Sequence, residues 1–293
     1  MRDLLVQLRP PNQRETRIRN VSWLLTGLFL CGSVRLSKIA AKIPSSSTAI
    51  NSCATLPSAV RRLSRLLDNS AISVREWYEP MARRLLEYQA RNLGGEIRLI
   101  VDGTKVSFDH RLLMVGLAYR KRTVPICWSW VGHEKGHSSS YKQRALLGYV
   151  RRLLPDGAAR VLVVGDSEFG SFATLKQLDE WGFYCVMRQK GSHLACSERR
   201  WRALGEMIER SGEKAWFEGA LLSRLHAYPT NLLLYWKKSE KEPWLLATNL
   251  SGPRQALSAY KRRMWIEQMF GDMKGHGFDL ESTRLRRFGS SRV

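Results

Sequence analysis

With 293 residues, 44% hydrophobic and 10% aromatic, the chain has the length and apolar content for one sizeable core with small appended modules, which excludes a mainly disordered or collagen-like protein. Its 48 Lys and Arg against 26 Asp and Glu give a formal charge of +22, far beyond what solubility requires, and point to a polyanionic partner, above all nucleic-acid phosphate. Five cysteines, with no C-x-x-C pair, exclude a disulfide framework and a thiolate zinc site and fit a reducing cytoplasm.

The charge is spread along the chain: residues 1–95 hold 15 basic and 6 acidic residues, and 252–293 hold 9 and 4. The longest apolar run, Val21 to Cys31, is too short to cross a bilayer, and its Arg-rich lead is too long for a signal peptide. The expected location is cytoplasmic, with no membrane partner.

In chain order, Val21 to Cys31 and Leu36 to Ile43 predict helices, stopped by Pro44 and Ser45 to Ser47. From Ser58 to Leu67, Val60, Leu63, Leu66 and Leu67 form one apolar stripe while Arg61, Arg62 and Arg65 lie off it. Such a helix packs by one face and offers the other to phosphate, or simply to solvent. Val74 to Leu93 is a further helix, ended by Gly94-Gly95.

Beyond Gly95 the period shortens. Ile97 to Val101, Leu112 to Tyr119 and Val124 to Val131 read as a three-stranded meander; then come a helix (Ser138 to Leu154), a buried strand (Val161 to Val164), a helix (Ser171 to Trp181) and a strand (Phe183 to Met187). The order βββαβαβ predicts an α/β fold, a mixed sheet with flanking helices, because strands joined through helices run parallel. Ala215 to Phe217, Leu221 to Leu225 and Asn231 to Trp236 suggest a β-rich insertion, and the run from Gln255 predicts one long helix broken at Gly275 and Gly277. The expected domains are a helical DNA-binding region (1–95), an α/β core in two parts (96–190 and 251–293), and a β-rich insertion (191–250).

Asp102 follows the apolar run Ile97 to Val101, and Asp166 follows Val161 to Gly165. Each has a plain reading, Asp102-Gly103 as a turn and Asp166-Ser167 as a helix cap. Open sheets build their sites at the carboxyl ends of strands, where two such acids can share a cation. On the last helix, Tyr260, Arg263, Glu267 and Lys274 fall within a stripe about 60° wide at about 100° per residue, opposite an apolar face of Trp265, Ile266, Met269, Phe270 and Met273. An ordinary amphipathic helix with an Arg263–Glu267 pair would look the same.

These residues resemble the DDE transposases of bacterial insertion sequences, specifically the insertion sequence four family. Its signature of Tyr, two residues, Arg, three residues, Glu, six residues, Lys is met by Tyr260, Arg263, Glu267 and Lys274, and the resemblance covers roughly residues 30 to 285. The resemblance implies an RNase H-like core in which Asp102, Asp166 and Glu267 are catalytic and bind two Mg²⁺ ions, with Mn²⁺ as a substitute. It further implies strand cleavage at the element's ends and strand transfer into target DNA, with a homodimer in the synaptic complex and a nucleoid-associated location. Tyr260, Arg263 and Lys274 would contact phosphates near the transposon end.

Trp244 opens Trp244-Leu245-Leu246-Ala247-Thr248, similar to a family segment whose Trp holds a flipped base during hairpin formation; a core Trp on a buried strand is the alternative. The chain departs from the family at Ser167, where Arg is common, and at Met264, where hairpin-forming members can carry a second Trp. The family pattern also continues beyond the region matching Leu280 to Arg287, so a chain stopping at Val293 reads as a truncated or frameshifted copy.

Three rivals stand beside this reading. His133-Glu134-Lys135-Gly136-His137 formally matches the zinc metalloprotease motif, but Gly132, Gly136 and Ser138 to Ser140 predict a turn where that motif needs a helix. A non-catalytic DNA-binding protein derived from a truncated transposase would lack Mg²⁺-dependent cleavage. A general nuclease would have no use for the Tyr-Arg-Glu-Lys stripe.

Overall fold

The computed structural model describes residues 2–8, 10, 13–43, 55–106, 110–132, 138–275 and 277–280. The His133 to His137 motif, the Pro44 to Ser47 stop and the segment from Glu281 onward lie outside the described residues. Two compact units divide the chain, Met1–Leu85 with Phe270–Ser290 and Leu86–Met269 with Ser291–Val293.

The first unit contains helices α1 (Arg2–Leu8), α2 (Glu15–Cys31), α3 (Leu36–Ala41) and α4 (Leu56–Leu67). Helix α2 starts six residues before the apolar run, because Glu15 to Asn20 continue its turns with polar side chains around the buried Ile18. Ile39, Ala40 and Leu63 form the buried centre, with Leu24, Leu28, Leu36 and Val60 packed around them. On α4 the stripe is narrower than its pattern suggests: Leu63 and Leu66 are buried, Leu67 is exposed, and Arg61, Arg62 and Arg65 face solvent. Helix α5 (Val74–Asn92) carries the chain into the second unit.

There the meander forms as β1 (Glu96–Lys105), β2 (His110–Tyr119) and β3 (Arg122–Gly132). Helix α6 (Ser140–Leu153), capped by Ser139, leads to β4 (Arg160–Gly165), and α7 (Phe172–Glu180), capped by Ser171, leads to β5 (Tyr184–Arg188). Both crossovers produce the parallel pairs expected of helix-linked strands, β1 with β4 and β4 with β5.

The segment after β5 does not form a sheet of its own. Strands β6 (Leu194–Ser197), β7 (Arg200–Ala203), β8 (Lys214–Leu222), β9 (Tyr228–Tyr235) and β10 (Trp244–Thr248) extend one ten-stranded mixed sheet, ordered β3-β2-β1-β4-β5-β10-β9-β8-β6-β7. The return strand β10 lies antiparallel against β5, so the inserted strands grow outward from the core's own edge.

The long final helix is two: α8 (Pro253–Lys261) and α9 (Met264–Met273). Between them Arg263 N–H bonds the Tyr260 carbonyl at 2.9 Å and Ile266 N–H bonds that of Arg263 at 3.1 Å, a three-residue spacing that tightens the turn. Alternation along the strands assigns the faces. Leu162, Val164, Val186, Leu233 and Leu246 pack against Ala256, Ala259 and Tyr260 of α8, whereas Cys127, on the opposite face, reaches the Leu146 carbonyl of α6.

Candidate active site

Strand pairing brings the two aspartates side by side. Val101 of β1 is level with Gly165 of β4, so one step further sets Asp102 beside Asp166 on strands about 4.8 Å apart. Asp102 does not close a turn. Strand β1 runs on to Lys105 against β2, with Asp102 opposite Met114, and the aspartate sits where the parallel pairing with β4 stops. Asp166 does take the capping role, its Oδ1 accepting the Ser167 N–H at 2.7 Å at the start of a 3₁₀ turn, Ser167–Phe169. Gly165 makes the close fit possible: a Cβ there would stand 2.8 Å from Met187 Sδ and 2.9 Å from Val101 Cγ1.

The break between α8 and α9 delivers Arg263 into this corner. Its Nη1 donates to Asp102 Oδ2 at 3.0 Å and lies 3.9 Å from Asp166 Oδ2, while Nη2 donates to Glu267 Oε1 at 2.6 Å. One buried guanidinium therefore gathers three carboxylates from three elements. From the other side, Arg188, the last residue of β5, holds Nη1 3.9 Å from Asp166 Oδ1. It stands level with Asp166 because Gly165 pairs Met187.

Burial pushes the Asp102 carboxyl up to about 6, and the charges of Asp166 and Glu267 push the same way; Arg263 and the Gly103 N–H oppose them. For Arg263 burial disfavours the charge, but Tyr260, Asp166, Asp102 and Glu267 outweigh it and hold the proton more firmly than usual. The Tyr260 hydroxyl is buried and closes no hydrogen bond of ordinary geometry among the described residues. Burial pushes it up to about 12, with Asp166 adding to the effect and the guanidinia of Arg263 and Arg188 opposing it.

The donor set suits a hard divalent cation: it consists of carboxylate oxygens only. Among the described residues no three His, Cys, Asp or Glu side chains already close into an ion-binding cage. Arg263 occupies the middle, and an ion held by these three acids would take its place as counter-charge.

The remaining sequence-derived residues are distributed as follows. Trp244 opens β10, half-buried, its ring edge-to-face with Tyr260 at 5.1 Å and with Tyr235 at 5.9 Å between centroids. Lys274 follows α9, its N–H bonded to the Phe270 carbonyl at 3.0 Å, and belongs with Phe270 to the helical unit. In that unit Arg61, Arg62 and Arg65 line a cavity of about 600 Å³ with Arg14, Arg17, Asn20 and Ser58, and none of the described residues lining it is acidic. Arg62 also stacks over Trp23, 5.1 Å from its centroid.

Sequence reasoning missed Arg188, Arg14 and Arg17, and also Glu168 with its partner Arg111. Arg188 has a signal in retrospect, a charged residue ending an apolar strand next to the one that ends in Asp166. Glu168 pairs with a residue 57 positions away, and no local pattern marks it.

No helix among the described residues is long and apolar enough to cross a membrane. No curated protein matches the chain. A family model described as the transposase DDE domain matches residues 94–293, a span that begins just before β1 and includes both strand aspartates and Glu267. As the match takes in more than half of the chain and all three converging acids, the protein belongs to the DDE transposase family.

Proposed function

We propose that this transposase is of the insertion sequence four type, with an RNase H-like core that cuts DNA at the element's ends and joins the freed strand to target DNA. The observation that carries the reading is the convergence of Asp102, Asp166 and Glu267 on one guanidinium. Acids so far apart in sequence, crowded at the ends of adjacent strands, need positive charge among them, and an all-carboxylate set suits a divalent ion.

Asp102, Asp166 and Glu267 would hold two Mg²⁺ ions, or Mn²⁺ in their place. When bound, the pair supplies the Lewis acidity that activates an attacking water or 3′-hydroxyl and steadies the leaving oxygen of the phosphodiester. Arg263 would clamp a backbone phosphate through two parallel N–H donors. Tyr260 lends its hydroxyl to the same end of the DNA, Trp244 backs Tyr260 through ring packing, and Lys274 adds a point charge. Arg61, Arg62 and Arg65, with Arg14 and Arg17, bind backbone phosphate from the helical unit. Two copies acting as a homodimer bring two ends together in the nucleoid.

The test uses purified protein and a labelled duplex carrying the element's end, with and without Mg²⁺. Asp102→Ala, Asp166→Ala and Glu267→Ala are each expected to abolish cleavage while binding the duplex like the wild type. Wild-type cleavage by any one of them would refute the assignment.

A further inference from the structure

We infer that Glu168 and Arg111 form a positioning pair that fixes the distance between Asp102 and Asp166. The inference rests on the reading that these aspartates hold divalent ions, and it concerns two residues that touch neither the ions nor the DNA.

Glu168 stands two residues after Asp166, inside the 3₁₀ turn that Asp166 caps. Its carboxylate is 7% exposed and fully committed: Oε1 accepts the Ser138 N–H and the Ser138 hydroxyl, both at 2.6 Å, and Oε2 is paired with the Arg111 guanidinium. The buried Gln143 donates to the Glu168 carbonyl at 3.1 Å and to Ser138 Oγ at 3.1 Å, tying down the backbone as well as the side chain. With three donors on its two oxygens and its side chain 7% exposed, Glu168 is committed to this network rather than placed as a metal ligand.

Arg111 carries the connection to the other aspartate. It projects from β2, opposite Lys105 of β1, and crosses Gly103, the residue after Asp102. Its Nη2 donates to the Gly103 carbonyl at 3.4 Å, and a Cβ on Gly103 would stand 2.7 Å from Arg111 Nε. A continuous path thus runs from Asp102 through Gly103, Arg111, Glu168 and Ser167 to Asp166. On the side facing β4, Asp102 has already passed the end of the parallel ladder. Beyond that point no ladder bond among the described residues holds β1 to the Asp166 turn; Arg263 links the two on one face of the sheet, and the buried Arg111–Glu168 pair supplies the tie on the other. In-line phosphoryl transfer tolerates little error in the placement of its carboxylates.

The experiment measures Mn²⁺ binding to the full-length protein by electron paramagnetic resonance titration, together with kcat and KM for cleavage and thermal stability. Glu168→Gln keeps the size and loses the charge; Arg111→Lys keeps the charge and loses the fork across Gly103. Each is expected to weaken Mn²⁺ binding about tenfold or more and to lower kcat with KM for DNA unchanged. The comparator is Glu96→Gln, which breaks a 2.6 Å ion pair with Arg98 at the far end of β1. It is expected to lower stability and leave Mn²⁺ binding alone.

If both Glu168→Gln and Arg111→Lys bind Mn²⁺ like the wild type while Asp102→Asn does not, the positioning role is wrong and the metal-site reading stands. If Asp102→Asn also binds Mn²⁺ like the wild type, the reading and the inference fall together.

Discussion

Arg263 donates from Nη1 to Asp102 Oδ2 at 3.0 Å, across 161 positions of sequence, with both side chains almost fully buried. A guanidinium in that position neutralises carboxylates that would otherwise repel each other in a poorly solvated corner, the role that the proposed metal ions would take over. Arg263→Met is therefore expected to cost about 3 kcal/mol of stability in chelator, the penalty of stranding a buried charge, and most of that loss is expected to vanish in excess Mg²⁺ or Mn²⁺. Urea denaturation in both conditions checks this. A loss of the same size with and without metal would mean that Arg263 serves packing alone.

The Asp102 carboxyl makes stability pH-dependent in a direction opposite to that of a salt-bridged surface acid. Its folded value of about 6 lies above the 3.8 of an ordinary aspartate, so the folded state holds the proton more tightly than the unfolded chain. The stability this contributes is full below pH 4 and is lost as pH rises towards and through 6, on the order of 3 kcal/mol in all. Denaturation of the metal-free protein from pH 4 to pH 7 is expected to show that slope, and Asp102→Asn is expected to remove it. An identical slope in the variant would assign it to other groups.

Tyr260 buries a hydroxyl with no well-formed hydrogen bond among the described residues, an arrangement that lowers stability and suits a group held ready for a ligand. Tyr260→Phe should therefore match or exceed the wild type in thermal stability without DNA, by up to about 1 kcal/mol, while forming fewer cleavage complexes on an end duplex. A stability loss with normal cleavage would make the hydroxyl structural.

The arginines of the helical unit predict a salt signature. Each phosphate contact removed should lower the slope of log K against log[salt] by about 0.9. Arg61→Ala and Arg65→Ala should each do so equally on end and random duplexes, because backbone phosphate carries no sequence information. Fluorescence anisotropy between about 50 and 200 mM salt reads the slope; an unaltered slope in both variants would remove the cavity from the DNA interface.

The two strand aspartates are legible in the sequence because the short runs Leu99 to Val101 and Val161 to Val164, rich in β-branched and aliphatic residues and closed by Asp102 and by Gly165-Asp166, are readable without any partner. Glu267 is legible only through its spacing to Tyr260 and Arg263. What hides the true geometry there is the turn at Arg262 and Arg263. A projection at constant rotation assumes an unbroken helix, and nothing in Tyr260-Lys261-Arg262-Arg263-Met264 signals a break, which goes with Arg263 turning inward to reach three carboxylates. Asp102 reads as the end of a strand because Gly103 follows it, yet pairing with Leu113 carries β1 on. The union of core and inserted strands is equally invisible, since it depends on β10 finding β5 across more than fifty residues. Glu168 and Arg111 look like any two surface charges until the ladder brings them together.

The return of β10 to the edge of β5 sets a condition on when the corner around Arg263 can assemble. Until that strand docks, α8 lacks the Leu233 and Leu246 part of the surface it packs on, and a chain emerging from the ribosome carries its aspartate pair without glutamate or guanidinium. A chain clipped within the inserted strands is therefore expected to keep Asp102 and Asp166 on neighbouring strands but to leave them without Arg263 and Glu267 as partners.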